Sequence, residues 1–331
     1  MEKVIRLRVS AEEDGCSVLE VLSAGMGMSG RQIRRAKYRP QGICLNGVRV
    51  RTDAVVRAGD TLSVLVETEK EGSVQLVPSE TDPVVVYEDD DLVIVNKPAG
   101  LAAHPSRGHF SETLANQIYG YYLRRGQEIR VRTAGRLDMD TSGLLAFAKN
   151  APASAMYERL HREGKIRRTY LALIEGVPEK PEGTVDFPIA RVRRTLPDGR
   201  EMDLSVAVTG AAGRDLRAAA GASLQEARTQ YRVLKTYSRG QSVYSLAEFS
   251  LATGRMHQIR VHMAAIGHPL LGDSLYGPEA ALTAEERAVY PRMIGRTALH
   301  SARLCGISPL TKVPFDLKAE LPEDMRRLTE D

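Results

Sequence analysis

The sequence predicts an α+β protein, with a mixed, largely antiparallel sheet in the larger part of the chain and a small α/β unit before it. Three observations predict this. Strand patterns outnumber helical ones, and they do not alternate with helices in the regular rhythm of a doubly wound sheet. A polar, proline-containing stretch, KEGSVQLVPSETDP at 70–83, also breaks the chain near residue 76 into units 1–75 and 76–331. Of 331 residues, 43 % are apolar and 27 % charged, enough to bury a substantial core and far from a disordered composition.

In the first unit VIRLRV alternates like a strand. SVLEVLSAGMGMSGRQIRRAKYRPQG then carries two short helical patterns, broken near Gly25 to Ser29. In the second pattern Ser29 fits the N-cap and Ile33 faces inward, which leaves Arg31, Arg34, Arg35 and Lys37 along the exposed side. ICLNGVRV and TLSVLV read as strands joined through a turn containing RAGD. The net charge of +4 is too small to identify a nucleic-acid binder, but from Arg31 to Arg57 there are eight basic residues and one acid. Such a face suits phosphates, whose neutralisation releases counterions; the competing reading is a solvated charged surface.

In the second unit VVVYEDDDLVIVNKPAG gives two strands around an acidic turn. SAMYERLHREGKIRRTYLALIEG gives a helix, a basic connection and a strand. TQYRVLKTY, YSLAEFSLA and MHQIRVHMAAIG suggest strands leading into a helix. If QIRVHM is extended, Gln258, Arg260 and His262 point to one side and Ile259, Val261 and Met263 to the other. Residues 209–228, rich in alanine and glycine, fit no sheet pattern and read as a surface insertion with a short helix or a mobile loop.

Two segments concentrate reactive side chains. In TAGRLDMDTSGLLAFAKN, residues 133–150, a polar run with Arg136, Asp138 and Asp140 precedes an apolar strand, so acids sit at the rim of a buried element. A paired-carboxylate hydrolase and a plain turn whose Asp and Thr cap backbone amides both remain open. Residues 251–277 crowd Arg255, His257, Gln258, Arg260, His262 and His268 into a stretch with no acid before Asp273. That polar face suits an anionic nucleic acid, and a guanidinium in it can hold a carboxylate in fixed geometry. The histidines stand five and six residues apart, which suits neither strand nor helix metal spacing. No Walker loop, dinucleotide-binding glycine pattern or serine nucleophile elbow occurs. Cys16, Cys44 and Cys305 are odd in number and far apart, so no disulfide framework or zinc motif is suggested. No apolar run is long enough to cross a bilayer and the charged start lacks a signal-peptide core, so a cytoplasmic address is expected.

Residues 16–66, with the arginine-rich helix followed by GICLNGVRV and VVRAGDTLSVLV, resemble the S4 RNA-binding domain. NKPAGLAAHP, GRLDMDTSGLLAFAK, RRTYLALIEG, ATGRMHQIRVHMAAIGHPLLGDSLYG and TALHSARL, in that order over residues 84–317, resemble the RluA-type pseudouridine synthase family. The resemblance implies isomerisation of uridine in structured RNA without cofactor or metal. It implies Asp138 as the essential aspartate, Tyr170 stacked on the base, Arg260 paired with Asp138, Leu299 beside the pocket and Arg136 filling the space of an extruded base. His257 and Gln258 are expected at the substrate, and Arg167 and Arg168 beside phosphates. Gly135 stands where the family usually has histidine. The expected partner is RNA, ribosomal by preference and transfer RNA by alternative; no protein partner is specified. A non-catalytic RNA-binding or ribosome-assembly factor would also use the basic helix, but it leaves Asp138 and Arg260 without a task.

Overall fold

Apolar side chains at alternate positions turn one face of β1 (Glu2–Arg8) inward through Ile5 and Leu7. In the computed structural model, which describes residues 2–67, 76–105, 111–127, 129–195, 201–209, 224–283, 285–286, 290 and 292–330, β1 joins β2 (Ile43–Leu45), β3 (Val48–Arg49) and β4 (Thr61–Glu67) in a sheet of order β1-β4-β2-β3. Asn46 and Gly47, both at positive φ, make the tight turn between β2 and β3. A helical turn, α1 (Val18–Glu20), widens through Gly25 before α2 (Gly30–Lys37). Ser29 caps α2: its Oγ accepts from the Gln32 amide at 3.3 Å, while the Gln32 side chain accepts from the Ser29 amide at 2.8 Å. Ile33 and Ala36 turn inward; Arg31, Arg34, Arg35 and Lys37 are exposed.

The second unit is built on one ten-stranded sheet. Its strands in chain order are β5 (Val85–Glu88), β6 (Leu92–Lys97), β7 (Arg132–Ala134), β8 (Ser142–Ala148), β9 (Arg167–Glu175) and β10 (Glu182–Val185). A separate ribbon of β11 (Ile189–Thr195) and β12 (Glu201–Ala207) follows. The sheet then continues with β13 (Thr229–Arg239), β14 (Ser242–Leu251), β15 (Leu299–Ile307) and β16 (Pro314–Lys318). The order is β10-β13-β14-β9-β15-β8-β6-β5, with β7 beside β8 and β16 beside β15. The pairing of β8 with β15 is parallel, whereas the other strand pairs of this sheet are antiparallel, so the sheet is mixed and largely antiparallel as expected.

Every residue of β8 is buried, which explains its unbroken SGLLAFA. Alternation splits the apolar residues between two faces. Leu144 and Ala146 lie with Tyr157 and Leu160 of α4 (Ala151–Arg162), and Leu145 and Phe147 with Leu114 and Ile118 of α3 (Leu114–Arg124). The amino-terminal unit rests on α4: Arg159 Nη1 donates to the Ala24 carbonyl at 2.6 Å, and a Cβ on Gly27 would lie 3.0 Å from that of Ala155.

Two expectations change, and a third falls mostly outside the described residues. QIRVHM is not extended but opens the helix α5 (Gln258–Ala265). Gln258 through Met263 are all buried, so its polar and apolar side chains do not separate into a wet and a dry face, and the alternation carried no strand information. The end of the supposed linker is tied down: Asn116 donates to the Val77 carbonyl at 2.7 Å and Arg124 to that of Ser79 at 2.7 Å. Of the insertion at 209–228, residues 210–223 lie outside the described residues, and 224–228 carry a single bridge, Gln225 to Ile189.

Candidate active site

Asp138 sits on the loop between β7 and β8, where two glycines are required by geometry. Gly143, at φ +102°, opens β8 so close to β15 that a Cβ would meet the Ser301 carbonyl at 2.3 Å. Gly135, also at φ +102°, begins the loop above the Arg168 guanidinium. The Thr141 amide donates to the Asp138 carbonyl at 3.1 Å and closes the turn. A buried lysine and a half-buried arginine hold carbonyls of the loop. Lys97 Nζ, fully buried, donates to the carbonyls of Pro98 at 2.8 Å, Leu101 at 2.8 Å and Met139 at 2.7 Å. Arg296 Nη1 donates to the Asp140 carbonyl at 3.1 Å. Burial pulls the Lys97 pKa down to about 8, against the attraction of Asp140 and Asp138.

Arg136, Asp138, Tyr170, His257, Gln258, Arg260 and Leu299 line one cleft of about 370 Å³. All catalytic and substrate-contacting residues expected from the sequence therefore meet, from β9, β15, α5 and the β7–β8 loop. Tyr170, on β9, is cross-strand from Phe249 and Ser301 and presents its ring at the cleft wall.

Arg260 Nη1 lies 3.4 Å from Asp138 Oδ2. The same guanidinium is fixed from behind by a fork to Asp273, Nε to Oδ2 at 2.6 Å and Nη2 to Oδ1 at 2.8 Å. Burial works against its charge, but the Asp273 hydrogen bonds and then the fields of Asp273 and Asp138 keep its pKa above the ordinary arginine value. Asp273 Oδ1 also accepts the amides of Leu275 and Tyr276 at 3.0 and 3.1 Å, so the clamp is itself anchored. Sequence reasoning passed over Asp273, although it is the first acid after a run of cations.

His257, at φ +56°, turns the chain into α5 and sets Nε2 3.8 Å from Asp138 Oδ2. Its Nδ1 is 2.8 Å from the Tyr276 hydroxyl, which accepts the Ser205 amide at 3.1 Å. The Tyr276 oxygen can accept from Ser205 and still either donate its own hydrogen to Nδ1 or accept an Nδ1–H; the first arrangement would put the histidine's proton on Nε2, on the side of Asp138. Burial lowers the His257 pKa, with Asp138 pulling the other way. Gln258 is committed to the fold, bonded to Thr253, Arg255, Arg228 and Thr229, and offers the cleft a wall more than a hand.

The expected phosphate contacts divide. Arg167 is exposed, and its Nε donates to the Gly164 carbonyl at 2.9 Å. Arg168 is a correction: strand alternation turns it into the interior, where it donates to the Ala134 carbonyl and, at 3.1 Å, to the Tyr157 hydroxyl. His262 and His268 are also bonded within the fold, to Thr229 and Phe187 and to Glu175 respectively. Among the described residues no three His, Cys, Asp or Glu side chains are grouped to hold a metal ion.

Residues 91–265 match the family described as RNA pseudouridylate synthase. The chain is 32 % identical to the uncharacterized RNA pseudouridine synthase YhcT of Bacillus subtilis, over 98 % of this chain and 96 % of that one. It is 36 % identical to the ribosomal large subunit pseudouridine synthase D of Haemophilus influenzae, over 82 % and 77 % of the two chains. Among solved structures, human RNA pseudouridylate synthase domain containing 1 shares the fold with a TM-score of 0.52 and 24 % identity, covering 76 % of this chain and 86 % of that one.

Proposed function

The chain belongs to the RNA pseudouridylate synthase family and isomerises uridine to pseudouridine in RNA, and we propose that Asp138 carries the reaction, with large-subunit ribosomal RNA as the substrate. The observation that supports the first part is the meeting of Asp138, Arg260 and Tyr170 in one cleft, with Arg260 held by Asp273 so that its remaining arm faces the Asp138 carboxylate.

Isomerisation breaks the N1–C1′ bond, turns the uracil, forms C5–C1′ and moves the C5 proton out, while N1 ends protonated. Nothing is oxidised and no group leaves, so the reaction asks for a placed carboxylate and a surface that keeps the detached base. Asp138 acts on the ribose, either by attack at C1′ or by removing the 2′ proton to give a glycal, which is the preferred route. Holding the carboxylate beside the Arg260 guanidinium at 3.4 Å, with His257 Nε2 3.8 Å from the same oxygen, lowers the entropic part of the barrier. Tyr170 keeps uracil stacked, a contact worth about 1–3 kcal/mol per base. The target uridine leaves its stack at a cost of a few kcal/mol, and Arg136, exposed at the cleft rim, fills the space it vacates.

The ribosomal assignment is supported by the likeness to ribosomal large subunit pseudouridine synthase D and by the exposed basic side of α2, which suits a large folded RNA. Mapping pseudouridines across total RNA from cells with and without this protein tests it: sites lost only from transfer RNA would overturn the substrate reading. The role of Asp138 is tested by Asp138→Asn on a modified transcript, where single-turnover conversion is expected to vanish; an undiminished rate would falsify it.

A further inference from the structure

Arg168 is a buried charge to which the reaction as described gives no step. It is 8 % exposed, and among the described residues no carboxylate pairs with it. Its guanidinium donates to the Ala134 carbonyl, one residue before the loop that carries Asp138, and to the Tyr157 hydroxyl of α4 at 3.1 Å; it also lies 6.0 Å from the Tyr157 ring. On β9 it is two residues from Tyr170, on the same face. A buried cation without a counter-ion is an expensive way to fill space that leucine or methionine would fill at no electrostatic cost. Its position is matched by Gly135: a Cβ there would fall 2.2 Å from Nη2, 2.5 Å from Nη1 and 2.7 Å from Cζ of Arg168.

We propose that Arg168 is a positioning residue for the isomerisation, a strut that fixes the Asp138 loop to the strand bearing Tyr170, and that position 135 is glycine because the guanidinium occupies the space of its side chain. The loop that carries the carboxylate is thereby tied to the strand that carries the ring, and their separation is set before RNA arrives. This inference rests on the reading of Asp138 and Tyr170 given above.

The test is a double-mutant cycle between positions 135 and 168, read both as single-turnover rate at saturating RNA and as thermal unfolding of the full chain. Arg168→Met is expected to slow conversion at least tenfold while the Kd for RNA changes less than twofold, and Arg168→Lys to recover part of the rate, since an ammonium can still reach the Ala134 carbonyl. Gly135→Ala is expected to slow conversion in the parent by pushing the guanidinium off that carbonyl, and to have a smaller effect on an Arg168→Met background. Parent-like rates in Arg168→Met, or an equal loss from Gly135→Ala in both backgrounds, would overturn the proposal. If Arg168→Met does not fold, Tyr157→Phe removes one acceptor alone; a parent rate in both Tyr157→Phe and Gly135→Ala then counts against the strut. Should the parent chain with Asp138 intact make no pseudouridine, the functional reading fails, whereas coupling of the two positions in thermal unfolding still reports the contact between them.

Discussion

A single acidic side chain, Asp273, decides what Arg260 can do. With both carboxylate oxygens bonded to Nε and Nη2, only the Nη1 arm is directed at Asp138. Asp273→Asn leaves a buried guanidinium short of its main counter-charge and is expected to destabilise the protein by about 3 kcal/mol, measured as a shift of the urea midpoint. Conversion is expected to fall with it, without loss of RNA affinity. Tyr276 makes a finer demand: in Tyr276→Phe the hydroxyl partner of His257 Nδ1 is gone, so the imidazole nitrogen shifts, which report the balance of tautomers, are expected to change. At Tyr170 the substitutions separate ring from hydroxyl. Tyr170→Ala is expected to cost on the order of 10- to 100-fold in conversion from lost stacking, while Tyr170→Phe keeps most of the rate; comparable losses in both would assign the work to the hydroxyl. Asp138 and Arg260 were legible through the polar runs around RLDMD and HQIR and Tyr170 through the family resemblance carried by RRTYLALIEG, whereas Asp273 and Tyr276 were passed over. Arg168 was misread because the doublet Arg167–Arg168 looks like one charged surface, although a strand must send its two members to opposite sides.

Among the elements, α2 was the easiest to read, since a capping serine, two inward apolar residues and cations at the remaining positions agree with one another. α5 was the hardest. QIRVHM alternates as well as any strand, and only its complete burial in a helix with Arg260 bonded to Asp273 resolves it. Tertiary partners thirteen residues away, and more distant ones such as Phe187 for His262, lie outside any local window. The same separation of surface from core predicts distinct phenotypes. Replacing Arg31, Arg34 and Lys37 by alanine is expected to weaken RNA binding and to lower the slope of log K against log salt by about 0.7–0.9 for each phosphate that is no longer neutralised. The single-turnover rate at saturating RNA should stay near the parent value, and an unaltered salt slope would remove α2 from the interface.

For the molecule as a whole, burial of histidine sets the response to acid. His104, His161, His257, His262 and His300 all have pKa values lowered first by burial. In the unfolded chain each binds a proton near pH 6.5, so as pH falls from there the unfolded state takes up more protons than the folded one and stability declines until the lowered folded values are passed. Urea midpoints are expected to drop between pH 7.5 and pH 5.5, and a flat profile would contradict the buried environments. The contact of Arg159 with Ala24 was not legible, because nothing in either segment announces its partner. Finally, the parallel seam between β8 and β15 joins Ser142 to His300, residues 158 positions apart. The backbone that opens β8 after the Asp138 loop thus has no neighbour on that side until the segment 299–307 has been synthesised. On the ribosome, a nascent chain carrying every motif up to HQIR would still lack the strand that borders the opening of β8, and with it Leu299 of the cleft wall.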